Sequence, residues 1–140
     1  MKALYYLFIV MLTAGISSCA TTVKFPVSQI APAADGTVKV KKDKNNNYLI
    51  AVNVKYLANP DRLTPPRSVY VVWAETEEGI TKNIGRLVSN RSNKGSMKTS
   101  TPFNPVRIFI TAEDEGTVTF PGRQELFRTE KFRVKAFKLF

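Results

Sequence analysis

The side chains in this sequence with the greatest capacity for chemistry are one thiol and a set of carboxylates. Cys19 is the single cysteine of the 140 residues, and the chain contains no histidine. The commonest metal ligand and the usual general base near neutral pH are therefore both missing. Because no histidine can activate the thiol, its position after an apolar N-terminal stretch is the best guide to its role.

Residues 1–18 have the pattern of a secretory signal peptide. Lys2 supplies a short positive region, residues 3–12 are an apolar run, and small residues predominate from residue 13 to residue 18. The apolar run is too short to cross a bilayer as a helix, which requires about 20 residues. We therefore expect residues 1–18 to be removed.

The end of this segment, Ile16-Ser17-Ser18-Cys19, resembles the lipobox of bacterial lipoproteins, in which an aliphatic residue and two small residues precede a cysteine. The resemblance implies cleavage between Ser18 and Cys19, attachment of diacylglycerol to the thiol, and acylation of the new amino group with a fatty acid such as palmitate. Each buried methylene contributes about 0.8 kcal/mol, so two or three acyl chains make attachment effectively permanent. The alternative is an ordinary secretory signal followed by a chance cysteine.

The charge of the chain indicates its class of partner. Lys and Arg exceed Asp and Glu by 21 to 11, and removal of residues 1–18 lowers the formal charge only from +10 to +9. A basic protein at a bilayer is attracted to anionic lipid, lipopolysaccharide or acidic polymers, while an exported chain is a poor partner for nucleic acid. No acidic cluster follows Ala20, so we expect attachment to the outer membrane, facing the periplasm.

Two segments concentrate the positive residues and are candidate surfaces for anionic lipid, lipopolysaccharide or an envelope protein. The alternative is that they solubilise an exposed face and protect an edge strand from aggregation. The candidate residues are Lys39, Lys41, Lys42 and Lys44 around one hairpin, and Arg128, Lys131, Arg133 and Lys135 along the C-terminal strand.

Short β-type runs separated by turn residues predict an all-β chain with three parts. Residues 1–18 are the signal peptide, residues 19–35 are the lipidated cysteine and a tether whose later part adds an edge strand, and residues 36–140 are the β domain. The first hairpin is predicted at residues 37–57, where alternation places Tyr56 on the same face as Val54.

Later segments predict the remaining strands of an immunoglobulin-like, two-sheet antiparallel sandwich. In "SVYVVWAET" both faces are apolar, which is typical of a central strand covered on both faces or of a strand near an inter-sheet seam. We expect Trp73 and Phe109 to anchor the core between the sheets without a disulfide. Further strands are predicted at "ITKNIGRLV", "MKTSTPF", "VRIFITAE", "TVTF" and "ELFRTEKFRVKAF".

Two segments, "YVVWAETEEGITKNIGRL" and "IFITAEDEGTVTFPGRQELF", resemble the extracytoplasmic C-terminal β-sandwich domain of anti-sigma-K-type factors. The arrangement from Phe25 to Thr129 also resembles small uncharacterised lipoproteins of Bacteroidota-type bacteria. The first resemblance implies a β-sandwich and, as an alternative function, an accessory signalling protein. No sigma-binding domain or spanning helix is recognisable, so the resemblance bears chiefly on the fold.

The carboxylates permit a third hypothesis, an envelope hydrolase. A glycosidase requires two carboxylates that face each other across a cleft, but most candidates lie in turn-like segments. We therefore expect a non-catalytic binding or structural module without a cofactor. The candidates are Glu75, Glu77, Glu78, Glu113, Asp114 and Glu115.

One segment has the spacing of a calcium loop. Asp43, Asn45 and Asn47 match its first, third and fifth ligand positions, but Tyr48 and Val54 stand where the motif requires glycine and glutamate. We therefore expect "DKNNN" to be a turn and expect no metal site.

Overall fold

The structure is a computed structural model that describes residues 20–135. The predicted signal peptide and the residues Ser18 and Cys19 lie outside the described residues, as do residues 136–140. The described chain is all-β, as predicted, with one turn of 3₁₀ helix at Pro60–Arg62. Its strands are β1 (Thr21–Lys24), β2 (Asp35–Lys42), β3 (Tyr48–Lys55), β4 (Val69–Thr76), β5 (Thr81–Ser89), β6 (Gly95–Thr101), β7 (Pro105–Glu113) and β8 (Glu125–Arg128).

The eight strands form one antiparallel sheet in the order β1-β2-β3-β6-β5-β4-β7-β8. β5 joins the two halves, because residues 81–87 pair with β4 and residues 88–89 then pair with β6. A register shift between Val72 and Trp73 and a φ of 135° at Gly85 occur in the same region, and such features let strands bend. Two sheets were predicted, and the structure has one continuous, curled sheet.

The main core lies between the inner faces of the two halves of this sheet. Alternation along β2 and β3 turns β-branched residues inward, as the sequence predicts. At one end, Phe25 stacks on Phe127 of β8 with ring centroids 4.8 Å apart. The inward residues include Val38, Val40, Ile50, Val52 and Val54 from one half, and Tyr70, Val72, Ala74, Ile108, Ile110 and Leu126 from the other.

The turn between β2 and β3 confirms the prediction for "DKNNN". Oδ1 of Asp43 accepts hydrogen bonds from the backbone N–H groups of Asn45 and Asn47, at 2.8 and 2.9 Å. Asn46 has a φ of 62°, a left-handed conformation that asparagine tolerates. The turn itself therefore uses the oxygen that a calcium loop would direct at the ion.

The edge strand begins earlier than predicted. β1 starts at Thr21 and pairs with β2 from Thr21 opposite Val40 to Lys24 opposite Thr37. The edge strand thus lies in the first part of the predicted tether, not in its later part. Phe25 and Ser28, which follow β1, are buried, so the segment packs on the domain from its start.

Trp73 lies in a different place from the prediction. It stacks on Phe109 with ring centroids 6.1 Å apart, but both rings lie on the outer side of β4 and β7. There they form a small cluster with Val71, separate from the main core. Side chains alternate along β4, so placing Tyr70 and Val72 in the main core directs Trp73 to the other side.

Three segments depart from the predicted strands. Tyr56 follows β3 with a φ of 56° and is 70% exposed, because the strand ends and Leu57 takes the buried position. Residues 117–120, predicted as a strand, belong to the loop between β7 and β8. β8 ends at Arg128, although Phe132 still packs against the core.

Candidate functional site

The candidate site is the outer side of β1, β2, β3 and β6, which we name the basic face. Alternation that turns valines into the core turns lysines outward on the same strands. The four strands contain one acidic residue, Asp35, whose Oδ1 lies 3.8 Å from Lys24 Nζ. The lysines of the basic face are Lys24, Lys39, Lys41, Lys55 and Lys98, all exposed.

The register of the strands places Lys39 and Lys98 in one row. Lys39 pairs with Ala51 of β3, and Ala51 pairs in turn with Lys98 of β6. In the adjacent row Lys41 pairs with Leu49, whose side chain is 42% exposed. Two apolar residues in the middle of the face are thus bordered by three lysines.

A shallow cavity of about 460 Å³ occupies this part of the basic face. Leu49 and Ala51 line its apolar part, and the three bordering lysines line its edge. Ala20, the first described residue, also lines the cavity. The point at which the chain enters the fold therefore lies on the basic face.

A second cavity, of about 550 Å³, continues the face towards β5. Lys98 lines both cavities, and Arg86 adds a second cation to this one. Its other lining residues are uncharged and include Asn53 and Ser96. Both cavities are lined by cations and by no carboxylate.

Two of the predicted lysines lie away from these cavities. Lys42 is half-buried, and its Nζ lies 5.7 Å from the ring centroid of Tyr48, which is a cation–π distance. Lys44 is exposed in the turn after β2. Of the first predicted cluster, the structure thus brings Lys39 and Lys41 to the site, and it places Lys42 and Lys44 at the end of the hairpin.

The C-terminal segment brings part of the second predicted cluster to the edge of the sheet beside β1. Lys131, Arg133 and Lys135 are exposed, and the backbone N–H of Lys135 donates a hydrogen bond of 2.9 Å to Thr21 Oγ1. Thr21 is buried opposite Val40 of the core, so the backbone of Lys135 meets β1 on its core side and not on the basic face. Segments more than ninety residues apart in the chain meet at the beginning of the described fold.

Arg128, the first residue of that cluster, has other partners. Its Nε donates a hydrogen bond of 2.8 Å to Glu125, and its Nη1 lies 3.6 Å from Glu75. Its guanidinium carbon lies 4.2 Å from the ring centroid of Phe109. The Glu125 hydrogen bond raises the pKa of Arg128 and burial opposes it, so the guanidinium remains charged and is held by two carboxylates.

The opposite side of the molecule, the outer side of β4, β7 and β8, is named the covered face. The loop of residues 114–124 lies over it and buries Trp73 completely. Asn83 Nδ2 donates hydrogen bonds of 2.9 Å to the carbonyls of Gly116 and Val118 and so holds the loop. Within residues 20–135, no comparable segment covers Leu49 on the basic face, and its side chain is partly exposed.

The carboxylates of the covered face have structural partners. Glu113 Oε1 accepts hydrogen bonds from Thr111 Oγ1 and the Gly122 N–H, at 2.7 and 2.6 Å. Trp73 Nε1 donates to the same threonine oxygen at 2.8 Å. Glu113 therefore connects the strand, the covering loop and the tryptophan.

Glu75 and Glu113 lie at opposite ends of the β4–β7 pair. Glu75 is opposite Arg107, whose Nη1 lies 3.2 Å away, and Glu113 is opposite Val69. Positions 69 and 75 are six residue steps apart along the strand, which corresponds to about 20 Å. Paired glycosidase carboxylates lie about 5–10 Å apart, so these two do not form such a pair.

Sequence reasoning missed Lys98, the residue that links the two cavities. Its alternation with the buried Met97 in "GSMKTST" indicates that it points outward. The pairing of β6 with β3, which brings it beside Ala51, joins segments more than forty residues apart. Local pattern carries no signal for that pairing.

Comparison of this chain with protein-family models, curated proteins and solved structures finds no match. The resemblances to bacterial lipoproteins and to anti-sigma-K-type domains therefore stay predictions. Within residues 20–135, no helix is long and apolar enough to cross a membrane. Over the same part of the chain, no three Cys, Asp or Glu side chains group as metal ligands do.

Proposed function

We propose that this protein is a lipid-anchored, non-catalytic module of the bacterial cell envelope, acylated on Cys19 and facing the periplasm from the outer membrane. Its β domain acts as a binding or structural unit at the bilayer surface. One observation carries the proposal: β1 begins at Thr21, so the lipobox-like sequence ends where the fold begins. A signal that is removed before Cys19 leaves every described strand intact.

The arrangement of charged groups supports a binding role over a catalytic one. The cavities of the basic face are lined by cations and apolar groups, which is suited to anionic ligands. Of the candidate hydrolase carboxylates, Glu75 and Glu113 lie on strands, where Glu75 is paired with an arginine and Glu113 is bonded to the covering loop. These contacts give both carboxylates structural roles.

The finer fold assignment is also part of this proposal. We assign β2-β3-β6 to the A-B-E strands of an immunoglobulin-like sandwich and β8-β7-β4-β5 to its G-F-C-C′ strands, because the neighbours agree in order. β1 is then an additional edge strand. The two halves act as two layers joined through residues 88–89, and the strand-C tryptophan faces outward in this chain.

Hydrogen exchange tests the two-layer assignment. We expect the amides of residues 88–89, where only two residue pairs join the layers, to exchange faster than the amides shared by β4 and β7. Equal protection at both places would contradict the assignment.

Metabolic labelling with an alkyne analogue of palmitate tests the anchor in a bacterial host. The wild-type chain is expected to incorporate label and to be processed, whereas Cys19→Ala is expected to lose the label and to accumulate as precursor. Ser18→Ala is the matched control, since it keeps a small residue before the cysteine and is expected to label normally. Label retained by Cys19→Ala would overturn the proposal.

A further inference from the structure

We infer that the basic face is the side of the domain that lies on the bilayer, with Leu49 against the lipid and the lysines around it on anionic phospholipid headgroups. The inference rests on the proposed anchor at Cys19 and adds an orientation to it. The occupant is the headgroup layer of the same membrane that holds the acyl chains.

The distance between anchor and fold limits how the domain is held. One residue, Ala20, lies between Cys19 and Thr21, and an extended chain spans at most about 3.6 Å for each of the two residue steps. The first strand therefore begins within about 7 Å of the acylated residue. An anchor this short keeps the start of β1 at the headgroup layer.

The position of Ala20 selects the face that meets the lipid. Ala20 lines the same cavity as Lys39, Lys41 and Leu49. A domain tethered at this point has the basic face next to the bilayer, whereas the covered face is on the other side of the curled sheet.

The composition of the basic face fits a headgroup layer. Its five lysines are accompanied by one acidic residue, Asp35, which lies near Lys24. Long lysine side chains keep their charge in the headgroup region while their methylene stems lie along apolar groups. Attraction to anionic lipid acts over about a Debye length, roughly 8 Å at physiological salt, so a short anchor brings the lysines into range.

The single cysteine makes a direct experiment possible. In acylated protein Cys19 is not a free thiol, so a cysteine introduced elsewhere is the only site for a polarity-sensitive thiol dye. We choose Leu49→Cys on the basic face and Phe120→Cys on the loop over the covered face, since both positions are exposed apolar residues. The lipidated full-length product is reconstituted in vesicles of phosphatidylcholine with or without phosphatidylglycerol.

The dye at position 49 is expected to shift to shorter wavelength in vesicles that contain phosphatidylglycerol, and high salt is expected to reverse the shift. The dye at position 120 is expected to give the same emission in all vesicles. Equal responses at the two positions, or a shift at position 120 alone, overturn the orientation. Neither cysteine substitution changes the net charge of the protein, so the comparison between positions 49 and 120 does not depend on charge changes.

Charge reversal then tests which lysines cause the effect. In the Leu49→Cys background, the triple variant Lys39→Glu, Lys41→Glu and Lys98→Glu is expected to lose the shift. The matched triple variant Arg62→Glu, Lys82→Glu and Arg123→Glu changes exposed residues that lie outside the four strands of the basic face. It changes the net charge equally and is expected to keep the shift. Loss of the emission shift in both triple variants would mean that the overall charge acts without a preferred face, and it would overturn the inference.

The parent protein separates the two proposals. If the parent protein takes up no dye and the emission of the dye at position 49 does not shift, the proposed anchor is supported and the proposed orientation is wrong. If the parent takes up dye, Cys19 is a free thiol and the proposed anchor itself fails.

Discussion

The two outer faces of the curled sheet arise from the same alternation of side chains, but one face is covered by a loop and the other is exposed. On the covered face, residues 114–124 close over Trp73, which is completely buried. On the basic face, Leu49 is partly exposed among lysines. A strand pattern thus directs a side chain outward, but the following loop decides whether that side becomes a second core or a surface.

The difference between the faces separates stability from binding. The covered face is closed by hydrogen bonds to Glu113 and Asn83, so changes there are expected to alter the free energy of unfolding. The basic face has lysine side chains in solvent, where single substitutions usually change stability little. We therefore expect substitutions on the covered face to change mainly the free energy of unfolding. Substitutions on the basic face are expected to change mainly binding.

The largest effect on stability is expected from Trp73→Ala. It removes a fully buried ring together with its stacking on Phe109 and its hydrogen bond to Thr111, and such changes cost about 3–5 kcal/mol. Urea unfolding followed by far-ultraviolet circular dichroism measures it, because the variant has no tryptophan. Leu49→Ala is the matched change on the basic face and is expected to cost about 1 kcal/mol or less. Equal losses would contradict the distinction between the faces.

A smaller loss is expected from Gly122→Ala. A Cβ at this position would lie 2.9 Å from Glu113 Oε2, which displaces the carboxylate that binds the Gly122 N–H and the Thr111 hydroxyl. Disturbed buried hydrogen bonds cost about 1–3 kcal/mol. Phe120→Ala, an exposed position on the same loop, is the control and is expected to leave the urea midpoint nearly unchanged. An unchanged midpoint for Gly122→Ala would mean that Glu113 does not hold the loop.

Tyr70 tests the core between the two faces through its pH dependence. Burial, and to a lesser degree the charge of Asp61, raises the pKa of Tyr70 from 10.0 to about 12, and its hydroxyl donates to the Ala58 carbonyl at 2.8 Å. Between these pH values the unfolded chain loses this proton and the folded chain keeps it. The free energy of unfolding therefore falls as pH rises from about 10 to about 12.

Urea unfolding of the wild type and Tyr70→Phe over this pH range isolates the tyrosine. The wild type is expected to lose stability more steeply than the variant, which lacks the titrating group. Parallel curves would show that the Tyr70 hydroxyl titrates normally in the fold.

The smallest effect is expected from Lys98→Ala on the basic face. Lys39 and Lys98 lie two strands apart in one row, about 10 Å, so their repulsion is screened at physiological salt. Removing one charge is expected to raise the urea midpoint slightly at low salt and not at high salt. A large loss at both salt concentrations would indicate that Lys98 has a structural role.

Local pattern was sufficient for much of the fold. Alternation identifies the β2–β3 hairpin and its inward valines, and the asparagines after Asp43 identify its turn. The apolar character of both sides of β4 predicts a central strand, and β4 does lie between β5 and β7. These features depend on neighbours in sequence, which is why the sequence reveals them.

Features that depend on distant segments were not predictable. The local sequence pattern does not show that residues 88–89 pair with β6 instead of β4, which joins two sheets into one. The burial of Trp73 on the outer side of the sheet was not predictable, because it depends on the distant loop of residues 114–124 that covers it. The basic site is similar, since Lys98 and the hairpin lysines come from separate segments that only the register of the strands brings together.

Fluorescence quenching by lipids that carry a spin label on the headgroup tests the central claim most directly. The lipidated protein, labelled at Leu49→Cys or at Phe120→Cys, is placed in vesicles that contain phosphatidylglycerol. If the basic face lies on the bilayer, the dye at position 49 is quenched several-fold more strongly than the dye at position 120. Equal quenching, or stronger quenching at position 120, would contradict the account.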